Sequence, residues 1–330
     1  MSTDTLPRPN PRFTAHSTRS PAETDEFCFG QYGCQAPTAE LAAEAALGLA
    51  PCFSGPDAPT ALDRGSFVDP SGAHNTVWLA YWNDPRAHRR WKRSARVRAV
   101  WEDLPLQGPV GHWREECVMS RLPGADVAET AAHDYWAAAR DRVAASATGP
   151  LEPALDGVTT EFGETRGRRV TVTVPRSVTL IRTVQDWSAS AALRHTYLAD
   201  GVAPARERGV EYLASTPDSG CIAARSLQEQ SDDGSPLARS STVAWFVSLD
   251  HLLAWGRSQG TQLEIYASFF QTIGKGDQPL DVAFWHEVSV LPAGSVTAEY
   301  VNCGPHTGFL SLPDDGPAPS ADGGNATERV

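Results

Sequence analysis

The clearest alternation of apolar and polar positions is the stretch FWHEVSVL, residues 284–291. As a strand it points Phe284, His286, Val288 and Val290 to one face and Trp285, Glu287, Ser289 and Leu291 to the other. A titratable ring therefore stands in an apolar row. Two further runs, TVWLAYWND (76–84) and TVAWFVSLD (242–250), read as apolar strands closed by an aspartate at the head of a helical stretch, with Trp91 in the first stretch and Trp255 in the second. HWREECVM (112–119) follows the first as FWHEVSVL follows the second. This plan occurs over about 70–145 and again over 178–310, with unequal spacings, so it is a duplication of plan and not a solenoid period. Trp113-Arg114-Glu115 in the first copy becomes Trp285-His286-Glu287 in the second, and only the second copy places an imidazole on that face.

Other segments fill in the pattern. TAELAAEAALGLA (38–50) predicts a helix opened by Thr38, and DYWAAARDRVA (134–144) has the composition of another. RRVTVTVPRSVTLIRTVQDW (168–187) is rich in β-branched residues and predicts strands meeting at a turn. Together these elements predict an α+β fold of two ferredoxin-like halves, of the dimeric α+β barrel type, with antiparallel sheets flanked by helices. Residues 1–25 and 311–330 are polar and Pro/Gly-rich, the composition of disordered tails, which leaves 26–310 as one folded domain.

Composition narrows the function. The 330 residues are 41% hydrophobic, ordinary for a globular chain. The net charge of -12 argues against a polyanion partner, which needs clustered positive charge, so a nucleic-acid partner is not expected. No run has the apolar length of a membrane span or the pattern of a signal peptide, and a cytoplasmic protein is expected. The six cysteines, 28, 34, 52, 117, 221 and 303, lack C-x-x-C and zinc spacings and are expected to be reduced thiols. P-loop, G-x-G-x-x-G, H-E-x-x-H and C-x-x-C-H motifs are all missing.

His286 then has two readings. A histidine in an apolar strand is often a core residue whose ring nitrogens find backbone partners. Alternatively the row serves a large apolar ligand that wants an axial nitrogen, and haem is such a ligand. A resemblance bears on this choice. The segments VWLAYWNDPRAHRRW, DYWAAARDR, LIRTVQDW, SGCIAAR, WFVSLDHLLAW, FWHEVSVL and EYVNCGPHTGFL, in this order from about 76 to 310, resemble the aldoxime dehydratase family, haem enzymes that convert an aldoxime to a nitrile and water. The resemblance implies a b-type haem, active when ferrous, with His286 as the iron ligand and Phe284, Val288 and Val290 packing the porphyrin. It implies that the oxime nitrogen binds the iron and that a distal histidine, His306 in NCGPHTG, protonates the departing hydroxyl. Arg182 matches the family's active-site arginine, and Asp141 falls where the family has a glutamate. Three positions depart from the family pattern. His306 is displaced within its segment, Asp141 is one methylene shorter than glutamate, and Ala223 replaces a serine that would bond the oxime hydroxyl. These departures leave open a related haem enzyme for another N–O or N–N substrate, and a haem-binding protein without turnover. A small-molecule substrate is the expected partner, and paired ferredoxin-like sheets are compatible with a homodimer.

Overall fold

The computed structural model describes residues 26–120, 163–174, 177–188, 202–258 and 283–311. In chain order the first half comprises β1 (Glu26–Ala36), α1 (Ala39–Leu49), β2 (Ala61–Val68), β3 (His74–Trp82), α2 (Pro85–Arg93), α3 (Ala95–Glu102) and β4 (Gly111–Ser120). After β5 (Arg169–Thr173) comes the second half: β6 (Val178–Asp186), α4 (Val202–Ser215), β7 (Cys221–Gln230), β8 (Pro236–Phe246), α5 (Leu249–Ser258) and β9 (Ala283–Leu291). β10 (Val296–Val301) follows.

Helix boundaries follow from local chemistry. The Thr38 hydroxyl accepts from the Leu41 amide and opens α1. Asp84 caps α2, with Pro85 in the first turn, where its missing N–H costs nothing. Ser94 ends α2 and caps α3. In the second half the α5 cap is Ser248, whose hydroxyl accepts from the His251 amide, so Asp250 lies inside the helix and not at its head.

The described strands form one ten-stranded antiparallel sheet in the order β5-β10-β4-β1-β3-β2-β7-β8-β6-β9. Each half contributes a ferredoxin-like set, β4-β1-β3-β2 and β7-β8-β6-β9, which confirms the α+β architecture of antiparallel strands with flanking helices. The halves join through β2 and β7, where Arg64, Gly65 and Ser66 pair with Gln230, Glu229 and Gln228. The sheet curls until Ser289 Oγ of β9 lies 3.3 Å from Met119 Sδ of β4, but no ladder links these strands and the barrel stays open. β5 and β6, adjacent in sequence, do not form the expected turn-linked pair. β5 adds to β10 beyond β4, and β6 becomes a central strand of the second half.

Curling gives the sheet an inner and an outer face. The inner face buries Phe29, Leu79, Trp113, Leu180, Leu227 and Trp245, and each buried Leu or Phe contributes about 1.5–3 kcal/mol relative to exposure. Two carboxylates on this face, Glu115 buried and Glu287 partly exposed, tie the halves together. Glu115 of β4 accepts from Arg225 (2.5 and 2.7 Å), from Trp245 Nε1 (2.9 Å) and from the Tyr300 hydroxyl (3.0 Å). Glu287, at the matching place on β9, accepts from the Tyr81 hydroxyl. Each half's last strand is thus bonded by an aromatic side chain from the other half's third.

The outer faces carry the helices. Under α1–α3 lie Tyr32, Trp78, Trp82, Trp91 and Trp101, with the Tyr32 ring edge-on to Trp91 at 5.2 Å. Under α4 and α5 lie Ile181, Ala244, Phe246, Leu249, Leu252 and Trp255.

Candidate functional site

Register places His286 on the outer face of the second half. It pairs with Thr183 of β6, which pairs with Thr242 of β8, which pairs with Ser226 of β7. Directly paired residues share a face, so the row reads His286, Thr183, Thr242, Ser226. The next row, Val288, Ile181, Ala244, Ala224, is apolar, and Val288 and Val290 pack against the cluster under α4 and α5.

The duplicated half shows what is unusual about this row. Its counterpart is Arg114, Tyr32, Trp78, Arg64. There Arg114 stacks on Trp101 at 4.5 Å and pairs with Glu299, and the space between sheet and helices is filled by indole and phenol rings. In the second half two threonines and a serine replace those large side chains. A flat group can rest on such a surface.

The ring of His286 is held. Thr183 Oγ1 lies 2.8 Å from His286 Nδ1, and a histidine held through Nδ1 ligates a metal through Nε2. Burial pushes the pKa of His286 down to about 3, so the ring is neutral at physiological pH, the form that ligates. Among the described residues no group of three or more His, Cys, Asp or Glu could hold a metal ion. An iron supported by porphyrin nitrogens and one histidine asks for no such group, and the surface around His286 fits haem.

A second feature lies at the β7 edge. A narrow, partly open cleft is lined by Phe67, Asn75, Trp113, Ala223, Arg225 and His306, among others. It forms because β2 pairs with β7 only as far as Gln228, and the segment after β10 folds over the gap. Ala223 faces the inner side, while Ala224 and Ala214 of α4, also in the lining, belong to the helix side. His306 sits at φ +62°, in the left-handed region. Its flanks are braced by Gln35, whose Oε1 accepts from the Gly304 amide (2.7 Å) and whose Nε2 donates to Thr307 Oγ1 (3.1 Å) and Asp69 Oδ2 (2.6 Å). Burial lowers the His306 pKa, and the Asp69 carboxylate opposes the shift.

The structure thus brings His306 and Ala223 together but sets His286 elsewhere, since it is not among the residues lining this cleft. Arg182 lies on the inner face, opposite to that of His286. Its guanidinium donates to Asp63 (2.7 Å), Glu229 (2.9 Å) and the Tyr81 hydroxyl (2.8 Å), and these partners hold its pKa well above the ordinary value despite burial. Asp141 lies outside the described residues. Thr183, Gln35 and Asp69 escaped the sequence reading, because their roles come from cross-strand pairing and long-range bonds that have no linear spacing.

Comparison with known proteins decides the family. Its description is "haem-containing dehydratase", and its profile matches residues 30–309. The chain belongs to this family. It is a haem-dependent lyase by that membership, and haem is its cofactor. A phenylacetaldoxime dehydratase from Bacillus sp. (strain OxB-1) is 30% identical, covering 91% of this chain and 92% of its own. An aliphatic aldoxime dehydratase from Pseudomonas chlororaphis is 30% identical over 91% of each. Among solved structures, an aldoxime dehydratase superposes with a TM-score of 0.77 at 29% identity, covering 93% of this chain and 94% of that one. A second, crystallised in complex with butyraldoxime, gives 0.74 at 26% identity over 88% and 87%. No described helix is long and apolar enough to cross a membrane.

Proposed function

We propose that the protein dehydrates an aldoxime, R–CH=N–OH, to a nitrile and water, with a non-covalent b-type haem on the outer face of the second half and His286 as its protein ligand. The observation that carries this reading is the row His286, Thr183, Thr242, Ser226, which offers a neutral imidazole on a surface cleared of large side chains. Ferrous haem supplies an electron-rich iron able to take the oxime nitrogen and weaken the N–O bond. The chain does the rest. Val288 and Val290, which edge the apolar cluster on this face, would give the porphyrin an apolar bed. Hydroxide is a poor leaving group until protonated, and His306 is the residue we assign to that proton. Its position at a cleft reaching the helix side supports the assignment. With a depressed pKa, the ring gains its proton as pH falls below neutrality, and activity that depends on it rises in that direction. Arg182, enclosed by carboxylates, acts as a brace of the inner face.

A second reading, the same haem site acting on another N–O or N–N compound, is favoured by one observation: the methyl of Ala223 gives the cleft no hydroxyl at that position. One experiment separates the two. Haem-loaded, dithionite-reduced protein is incubated with aliphatic and aryl aldoximes and nitrile is measured. Nitrile formation, abolished with the Soret signature of His286→Ala and lowered about 10²- to 10⁴-fold in a haem-retaining His306→Ala, supports the proposal. Full haem with no nitrile from any aldoxime moves the assignment to the second reading.

A further inference from the structure

The residue directly across the ladder from His286 is a threonine, and the row holds no carboxylate among the described residues. A histidine that ligates through Nε2 keeps its proton on Nδ1, and the acceptor of that proton sets both the ring's orientation and how much electron density it gives the metal. Here the acceptor within reach is Thr183 Oγ1, 2.8 Å from Nδ1. It stands on β6 between two ladder partners, β8 and β9, so its backbone is fixed from both sides. Its branched side chain has few rotamers. Other polar groups on this face, Gln185, Ser240 and Gln228, belong to the next row, where Ser240 accepts from the Arg206 guanidinium of α4; none of them is a carboxylate.

We infer that Thr183 is the positioning residue for the haem ligand, and that as an uncharged hydroxyl it keeps His286 a neutral donor and so favours ferrous iron. The charge argument is simple. A carboxylate at this place would draw the Nδ1 proton and give the ring imidazolate character, and an anionic ligand stabilises the ferric over the ferrous state. A hydroxyl accepts the same hydrogen bond without adding charge. The inference rests on the proposal that His286 ligates the iron, and its test tells the two apart.

The test compares full-length haem-loaded protein with Thr183→Val, Thr183→Ser, Thr183→Asp and His286→Ala, all checked for native circular dichroism. Readouts are the rate of haem transfer to apomyoglobin, the iron–histidine stretching band of the ferrous protein and the reduction potential. Thr183→Val, of nearly the same shape, should lose haem about 10- to 100-fold faster, the usual cost of removing such a partner, and its stretching band should shift or broaden as the ring loses its anchor. Thr183→Ser keeps the hydroxyl and should restore the band. Thr183→Asp should move the potential downward and the band to higher frequency. If Thr183→Val and Thr183→Asp both leave the band, the haem transfer rate and the potential unchanged while His286→Ala abolishes the band, the inference about Thr183 is wrong and the ligand assignment stands. If His286→Ala itself keeps the band, the ligand assignment fails first.

Discussion

Burial acts on a histidine outside the candidate site as well, and that residue is His112. It lies on β4 with 7% of its surface exposed, and its Nδ1 has no hydrogen-bond partner among the described residues. Burial, with the nearby Arg169 cation second, pushes its pKa down to about 4. A depressed histidine pKa means that the unfolded chain binds the proton first, so stability falls as pH drops from about 6.5 to 4. The loss approaches about 3 kcal/mol at the lower end. Urea denaturation midpoints followed between pH 7 and 4 should show this slope, and His112→Phe should flatten part of it. An unchanged slope in that variant would assign the acid sensitivity to other groups. Nothing in HWREECVM distinguishes His112 from His286 in FWHEVSVL, because both are single rings in strands. What separates them is the cross-strand neighbour: Thr183 for His286, against Cys34 and Val301 for His112. Neighbours of that kind are set by register and have no spacing in the chain.

Elements with local causes were the legible ones. The helix expected over 38–50 is α1 with its Thr38 cap, and the tryptophan-bearing helix after Asp84 is α2. β1 went unread because EFCFGQYGCQA is buried on both faces over nearly all its length, so its apolar residues do not alternate with polar ones. Gly30 and Gly33 further disguise it. Gly33 is required, since a Cβ there would collide with the Trp113 ring from the neighbouring strand. The position of β5 at the far side of the sheet was likewise hidden, since strand partners depend on where the intervening chain goes. Local capping makes its own prediction. Ser94 closes α2 and opens α3, accepting from the Val97 amide, so Ser94→Ala should cost about 1 kcal/mol. Thermal unfolding of the two proteins side by side checks it, and equal midpoints would mean that packing of Trp91 and Trp101 alone fixes the corner.

Over the whole molecule, side chains do much of the work of joining the halves. Only three residues of each strand pair across the β2–β7 seam, and side chains supply the rest. Asp63 of the first half accepts from both Arg182 (2.7 Å) and Arg239 (2.8 Å) of the second. Replacing it by Asn keeps the shape and removes the charge, and should lower the unfolding free energy by about 1–3 kcal/mol. Calorimetry should still show one transition, because Glu115 and Glu287 continue to tie the halves from the inner face. Two resolved transitions would mean that the halves fold independently and that the seam matters less than its bonds suggest.

The contrast between the rows Arg114, Tyr32, Trp78, Arg64 and His286, Thr183, Thr242, Ser226 has a bearing on stoichiometry. A symmetric pair of identical half-size subunits would present two equal sites and would have to make each surface serve both packing and binding. Covalent fusion lifts that constraint, so one copy can fill its sheet-to-helix layer with rings while the other carries small hydroxyl side chains on the matching row. The expected occupancy is one haem per chain, and an Arg114→His exchange creates no second site, because Trp78, Trp91 and Trp101 already fill that layer.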